Sequence, residues 1–505
     1  MSDTSVAAAL RSSARLVVVE APGGCGKTYQ GAEFARDIAP ALGDGRLLIL
    51  THTNAACDVF AARTKGIGST IEIRTIHGLI TEIAGAYHKA LGLPADVGAW
   101  ARRNDGYDQL ARQVASLLEQ NAFIATSLAQ RYPLIICDEH QDASADQHAI
   151  IMTLHRAGSR LRVFGDPMQQ IFGNERAADA QNAEARWTDL KQAACHFDEL
   201  DFPHRWTDGE PELGHWILTA RSTLKAGGQI DLTAVRPRGL TVHYADNTSQ
   251  NPRGFYVARP ASAAIYDWGR QPRMLVLTGT NDTCTALRAF FNRSYPLWEG
   301  HVRDGLAALI AHTRQHTGSP AELATGTLKF LETVASGFTP SDQGKILIEE
   351  AAAGCVGRRR LKPAFIQSMA QCLVDQPDHR GVASALARLR ELMDSGTAFS
   401  EVNVHHPREL AEAIQLANFE DPDDGFSEIA RRRTHARPKL PDRAISTIHK
   451  AKGLEFDNVL LLPCDRSAFS NSPKARAKLY VGMSRAKRSL MLVVSRTKPS
   501  PLFKI

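Results

Sequence analysis

An α/β fold built on parallel sheets is the class this sequence predicts, and three observations predict it. Apolar runs of strand length at Val17–Val19, Arg46–Leu50, Leu134–Cys137 and Leu161–Phe164 each give way to a polar loop and then to a segment of helical periodicity. The first of those loops, Ala21-Pro22-Gly23-Gly24-Cys25-Gly26-Lys27-Thr28, is made of small residues and ends in Gly-Lys-Thr. The same run-and-loop pattern returns far down the chain, at Arg273–Thr278 and again from Ala444. With 505 residues the chain exceeds one hydrophobic core, so about two to four domains are expected.

Composition narrows the class without deciding function. A chain of 43% hydrophobic and 23% charged residues is ordinary for a globular protein. Its net charge of +6 suits a polyanionic partner but does not establish one. The eight cysteines are scattered, with no Cys-x-x-Cys pair, which argues for reduced thiols rather than a disulfide or zinc framework. Met1 to Arg15 lacks the apolar core of a signal peptide, and no later stretch is long and apolar enough to cross a bilayer. A cytoplasmic protein with no membrane partner is expected.

Taken in order, the first strand and its loop have the context of a phosphate-binding loop, because a helix follows from Tyr29. Glycines there let backbone N–H groups converge on phosphate oxygens at a helix N-terminus. Lys27 is placed to reach the terminal phosphates and the Thr28 hydroxyl to ligate Mg²⁺. The unit repeats with Arg46–Leu50 and Thr51-His52-Thr53-Asn54-Ala55-Ala56, and a short strand Ile71–Thr75 leads into Ile76-His77-Gly78. Residues 79–130 read as a small helical insertion. Leu134–Cys137 then runs into Asp138-Glu139-His140-Gln141-Asp142. Downstream of a phosphate-binding loop, acids at that strand end suit a metal-holding carboxylate, Asp138, beside one that activates water, Glu139. Capping carboxylates also occur at strand-to-helix turns, so the pair gains its meaning from what precedes it. Leu161–Phe164 opens into Gly165-Asp166-Pro167-Met168-Gln169-Gln170-Ile171-Phe172.

These blocks carry a resemblance. Thr-x-Thr-Asn-Ala-Ala, Asp-Glu-x-Gln-Asp and Gly-Asp-x-x-Gln-x-Ile-aromatic, in that order after the loop, resemble the UvrD/Rep-like DNA helicases of superfamily 1A. Ile445-Ser446-Thr447-Ile448-His449-Lys450-Ala451-Lys452-Gly453-Leu454-Glu455-Phe456 and Leu479-Tyr480-Val481-Gly482-Met483-Ser484-Arg485-Ala486-Lys487 resemble that family's last two motifs. The resemblance implies two RecA-like P-loop motor domains with helical insertions: 1–205 as the first, carrying the insertion at 79–130, and 206–300 with 436–505 as the second. Between them 301–435 is a reduced helical insertion, with an acidic, turn-rich linker at Glu420–Gly425 and a basic one at Arg431–Arg433 leading out of it.

It also implies ATP and Mg²⁺ in a cleft between the domains, and single-stranded or tailed DNA across them. Lys27, Glu139, Gln169, Arg205 and Arg485 take the catalytic roles, the two arginines as fingers on the γ-phosphate. Ala21 to Thr28, Tyr29, His204 and Glu455 surround the nucleotide, with Thr28 and Asp138 on the metal. His52, Thr53, Asn54, Thr75, His77, Phe172 and His449 fall on DNA-contacting loops, although His77 and His449 also read as buried histidines satisfied by backbone. The compact size resembles the UvrD-like subunit of Gabija-type anti-phage systems, which implies a nuclease partner. Departures from the pattern matter. The first glutamine is Gln30, after the loop rather than before it, and Tyr29 and His204 stand where an arginine and a tyrosine are usual. Relaxed base selectivity is expected. Gly173-Asn174 replaces a tryptophan and His52 a phenylalanine, so stacking on single strands should be thinner.

Overall fold

Runs of Val, Ile and Leu buried on both faces can only be strands covered from both sides, and the computed structural model assembles them into two parallel sheets. The structure describes residues 2–505 except 68–69, 104–105, 172–176, 246–249, 252–253, 256, 258, 293, 299–303, 405 and 436–440. The chain divides into two compact units, Met1–Trp298 with Pro441–Ile505, and Glu299–Leu440.

The first unit holds both sheets. Strands β1 (Leu16–Glu20), β2 (Leu47–Thr51), β3 (Ile71–Thr75), β4 (Leu134–Cys137), β5 (Arg160–Gly165) and β6 (His196–Glu199) lie in the order β3-β2-β4-β5-β1-β6, every pair parallel. Because all point one way, the loops after β1, β4 and β5 gather at one edge, where open α/β sheets bind ligands. One face packs on the helices Ile76–Ala86 and Tyr107–Gln120, whose Ile80, Leu110, Val114 and Leu118 share a core with Leu16, Val18, Leu48 and Leu50. The helices read as an insertion therefore lie on the sheet itself. The other face is covered by Ser2–Arg11 and Lys27–Ile38, through Val6, Leu10, Phe34 and Ala35.

The second sheet uses β7 (Leu240–Tyr244), β8 (Met274–Thr278), β9 (Arg443–Thr447), β10 (Phe456–Cys464) and β11 (Ala486–Val494), ordered β9-β8-β10-β11-β7 and again all parallel. Glu455 and Arg485 immediately precede β10 and β11, so these two strand starts face the first sheet's loops. The helix Pro211–Lys225 joins the sheets: Leu213, Ile217 and Leu224 enter the second core, whereas Leu218 packs against the first.

The second unit is helical. Helices Asp304–Gln315, Pro320–Val334, Lys345–Ala352, Lys362–Asp375, His379–Asp394, Pro407–Gln415 and Pro422–His435 enclose a core that includes Leu323, Leu331, Leu347, Ile366, Met369 and Leu386. The acidic and basic stretches expected as separate linkers are the two ends of one helix, Pro422–His435. Asp421 caps it by accepting from the Asp423 and Asp424 N–H groups, and the acids of its first turn, Asp423 and Asp424, complement the helix dipole.

Candidate active site

The loop after β1 turns sharply where its glycines permit. Gly24 and Gly26 have φ of +90° and +84°, and Gly26 caps the helix Lys27–Ile38 from the left-handed region that a side chain would strain. Space forbids side chains there as well. A Cβ on Gly24 would lie 2.8 Å from the Trp206 ring, and one on Gly26 would lie 2.9 Å from the His204 ring. The turn His204–Trp206 is thus seated on the loop, held by Arg205 N–H donating to the Gly24 carbonyl at 2.9 Å. Ala21, Pro22, Gly23 and Cys25 are buried, while Thr28 is half-buried in the helix's first turn.

Lys27 reaches across to the end of β4, pairing with Glu139 and lying 3.4 Å from Asp138 Oδ1. Burial works against the Lys27 charge, but the two carboxylates outweigh it and raise its pKa. Burial also burdens both acids. Lys27 and Lys452 nevertheless hold Glu139 well below the usual carboxylate range, whereas burial and its charged neighbour Glu139 push Asp138 up. Glu139 adopts φ of +53°, uncommon for a side-chain-bearing residue and a form of local strain that clusters at functional sites. Gln141 fixes it by donating to Glu139 Oε2 at 2.5 Å while accepting from Asp166 N–H at 3.0 Å.

Two buried atoms here, Lys27 Nζ and Asp138 Oδ1, have no well-directed hydrogen-bond partner. Such orphans are costly in a finished site. A polyphosphate against Lys27 and a hydrated divalent cation beside Asp138 and Thr28 satisfy both, so the donor set fits a Mg²⁺–nucleotide.

The other wall comes from β5 and from the starts of β10 and β11. Gln169 is buried, and its Nε2 donates to Asp166 Oδ2 at 3.0 Å. A Cβ placed on Gly23 would lie 3.3 Å from Gln169 Nε2, 3.4 Å from Arg485 Nη2 and 3.4 Å from the Tyr480 hydroxyl. Loop, glutamine and arginine therefore converge on one point. The Gly23 N–H donates to Tyr480 Oη at 2.8 Å. Arg485 is 2% exposed and donates to the Val481 and Leu454 carbonyls and to Ser484 Oγ. No carboxylate among the described residues forms an ion pair with it. Burial, helped by Arg205, pulls its pKa below the ordinary arginine value. Arg205 itself bonds Glu455 Oε2 at 2.9 Å and the Ser484 carbonyl at 2.5 Å.

Around the expected base position the structure adds a residue that sequence reasoning missed. His204 Nε2 lies 2.8 Å from Asp3 Oδ2, and Gln30 Nε2 donates to Asp3 Oδ1 at 3.3 Å. Tyr29, half-exposed, has the Arg63 guanidinium 5.9 Å from its ring centre. Only proximity to the loop in sequence could have flagged Asp3. Tyr480, Lys452 and Arg221 were missed as well. Lys452 pairs with Asp142 at 2.5 Å and bonds the Gln169 carbonyl at 2.8 Å.

The residues expected on DNA lie at the ends of β2, β3 and β9, several already engaged. Thr53 and Thr75 cap the following helices by accepting from Ala56 and Gly78 N–H, and Asn54 is exposed. His52 is largely buried and its pKa falls to about 4 for that reason. His77 Nε2 lies 3.2 Å from Gln147 Nε2, edge-on to Tyr107, and His449 donates to the Ile171 carbonyl at 3.1 Å. Phe172 lies outside the described residues.

Fold and cleft together define an α/β protein with two parallel sheets and a glycine-rich loop of P-loop type lying between them. Comparison with known proteins narrows the class. Residues 98–190 match the UvrD/REP helicase N-terminal domain and residues 443–493 the UvrD-like helicase C-terminal domain. The chain is 24% identical over 435 residues to the ATP-dependent DNA helicase UvrD2 of Mycobacterium tuberculosis, covering 81% of this chain and 54% of the relative. It is also 24% identical over 188 residues to the ATP-dependent DNA helicase PcrA of Staphylococcus aureus, covering 37% of this chain and 25% of that one. The matched stretches are thus similar to the two domain types of the UvrD-like helicases, and the chain spans about half the length of the UvrD2 relatives it matches. Among the described residues no helix is long and apolar enough to cross a membrane.

Proposed function

We propose that this protein hydrolyses ATP to drive movement along single-stranded DNA, 3′→5′ as the family resemblance implies, and unwinds tailed duplex. The observation that carries the reading is Arg485: a buried guanidinium, paired with no described carboxylate, aimed at a phosphate-binding loop. A γ-phosphate gives it the anion that burial otherwise denies it, and it neutralises charge that grows in the transition state. Arg205 supports it from the turn on Gly24. Glu139 accepts the proton of the attacking water, and Gln169, held by Asp166, orients that water. Thr28 and Asp138 would hold Mg²⁺, which would neutralise negative charge on the phosphates. Because Arg485 and Tyr480 come from the second lobe and Lys27 from the first, hydrolysis depends on the cleft being closed, which couples chemistry to lobe motion.

A second reading has its own observation. Thr53, Thr75, His77 and His449 spend polar atoms on contacts inside the protein. That favours a DNA-gated ATPase with little unwinding, a regulatory subunit beside a nuclease as in Gabija-type phage defence or in DNA repair within the cytoplasm. DNA-stimulated ATP hydrolysis measured beside strand displacement on 3′-tailed and 5′-tailed duplexes separates the two. Displacement of the 3′-tailed substrate alone supports the translocase; turnover without displacement on either supports the gated ATPase. Absence of nucleotide hydrolysis with and without DNA would overturn both.

A further inference from the structure

In the helical unit, three donor groups face one another. His312, in the last turn of the helix Asp304–Gln315, and His316 just beyond it stand four residues apart, so both project from one face. Their rings stack with centroids 4.2 Å apart. Opposite them, Glu322 lies in the first turn of Pro320–Val334, and its Oε2 is 3.9 Å from His312 Nε2 and 4.0 Å from His316 Nε2.

One of the two imidazoles, His316, already has its proton placed for ligation. His316 Nδ1–H donates to the His312 carbonyl at 2.9 Å, so the neutral ring carries its lone pair on Nε2, toward Glu322. An imidazole with one N–H tied to a carbonyl and the other nitrogen bare is the form that ligates metals. His312 Nε2–H donates to the Glu322 carbonyl at 2.8 Å. Close approach of the helices is built in by Gly326, where a Cβ would lie 2.4 Å from His312 Cδ2. Any larger residue at 326 would push His312 away from Glu322.

The geometry points to a binding site for a zinc-class divalent cation, with His312 Nε2, His316 Nε2 and Glu322 Oε2 as ligands and water completing the shell. Two imidazoles and one carboxylate are a zinc donor set, whereas Mg²⁺ and Ca²⁺ take oxygen ligands. Tetrahedral bonds of about 2.0–2.1 Å put ligand atoms about 3.3 Å apart, so Glu322 Oε2, now 3.9 and 4.0 Å from the two nitrogens, has about 0.6 Å to close on each. Glu322, whose side chain is 50% exposed, has the freedom to close that gap. On binding, the cation gives up hydration waters and displaces the His312 Nε2 proton, which passes to Nδ1 or to solvent. The consequence is a pin between two consecutive helices of this unit. The site does not depend on the ATPase reading, since the two share no residue.

Co²⁺ titration of the metal-stripped full chain in excess Mg²⁺, read by visible absorption, tests the site. One Co²⁺ per chain, displaced by Zn²⁺, with affinity at least about tenfold weaker in His316→Gln and in Glu322→Gln, is the expected result. Lys27→Ala should bind Co²⁺ as the wild type does. Absence of a Co²⁺ band in wild type, or equal binding by both variants, overturns the site. Both substitutions sit at partly exposed positions, and a thermal melt checks folding. Zn²⁺ should raise the melting temperature of wild type and leave that of the variants unmoved; an equal rise in all three also overturns it.

Discussion

Two buried arginines flank the phosphate-binding loop, and their electrical circumstances are opposite. Arg221, on the helix that joins the sheets, contacts three carboxylates: Asp166 Oδ1 at 2.8 Å, Glu199 Oε1 at 2.9 Å, and Glu20, the residue just before the loop. Lys225 also pairs with Glu20. Burial opposes the Arg221 charge, but Asp166, Tyr480 and Glu20 outweigh it and raise its pKa. Arg485 has only carbonyls and a hydroxyl, and burial lowers its pKa. A guanidinium saturated by acids has no capacity left for a substrate and serves as architecture. One held by neutral oxygens is pre-positioned and still short of an anion, which is how a group that stabilises transition-state charge is prepared.

Replacing each arginine should break different things. Arg485→Ala should cut DNA-stimulated ATP turnover by about 10³–10⁵ and leave the melting temperature close to wild type, because no described acid is orphaned. Normal turnover in Arg485→Ala would place the finger elsewhere. Arg221→Ala should unfold the first lobe more easily, by about 3–5 kcal/mol in urea titration, since the fully buried Asp166 loses its counter-charge and Glu20 keeps only Lys225. Its partner test is Arg221→Met with Glu20→Leu, which should recover part of that loss. A recovery of zero would mean that Asp166, still buried beneath Gln169, carries most of the cost.

How far this comparison was visible in sequence differs for its two members. Arg485 stood out because Ser-Arg-Ala-Lys follows an apolar run within a recognisable motif, although that run reads as a strand in sequence and is the end of the helix Pro473–Met483, and Lys27, Asp138, Glu139 and Gln169 stood out from short local patterns. Arg221 and Glu20 were not, because each is one charged residue in an otherwise apolar stretch and nothing local says that the two meet 201 residues apart. The same holds for Tyr480, which reaches Gly23 across 457 residues. Strands buried on both faces announce themselves by composition, so the central strands were readable, whereas the edge strands β6 and β7, exposed along part of their length, were not. The helix Pro422–His435 was not, because its segregated charges look like two linkers until the dipole is considered.

A pH dependence sharpens the comparison, since the first lobe also buries neutral bases. Burial lowers the His52 pKa to about 4 and that of His140 to about 3. Below about 6.5 the unfolded chain binds protons that these histidines refuse, so folded stability falls as pH drops, until about pH 4 for His52 and about pH 3 for His140. Asp142, raised to about 6 mainly by burial, works the other way between its ordinary value and 6. Two histidines against one acid leave a net loss on the order of 1 kcal/mol per pH unit between 6 and 4. Thermal melts from pH 7 to 4.5 should show it, and His140→Gln should flatten the slope. An unchanged slope in that variant would locate the titrating group elsewhere.

The smallest expected effect concerns the base. Arg485 and Arg221 act on phosphate and scaffold, and neither distinguishes one nucleobase from another; that task falls to whatever lies beside Tyr29 and His204. Sequence alone left the place without a reader, which led to the expectation of relaxed selectivity. The structure puts Asp3 beside His204 and Gln30, so a base bound between Tyr29 and His204, as proposed, would meet a carboxylate and an amide. A carboxylate accepts from the adenine amino group and equally from the two guanine donors, which keeps relaxed selectivity as the prediction while assigning it a cause. Asp3→Ala should therefore raise KM for ATP and for GTP by a few-fold, about 1 kcal/mol of uniform binding, with kcat nearly constant. Steady-state hydrolysis of ATP, GTP and CTP by both proteins provides the comparison. A strict preference for ATP in the wild type would remove the relaxed reading, and an Asp3→Ala protein that lost kcat instead of KM would show that Asp3 sets the loop through His204 rather than meeting the base.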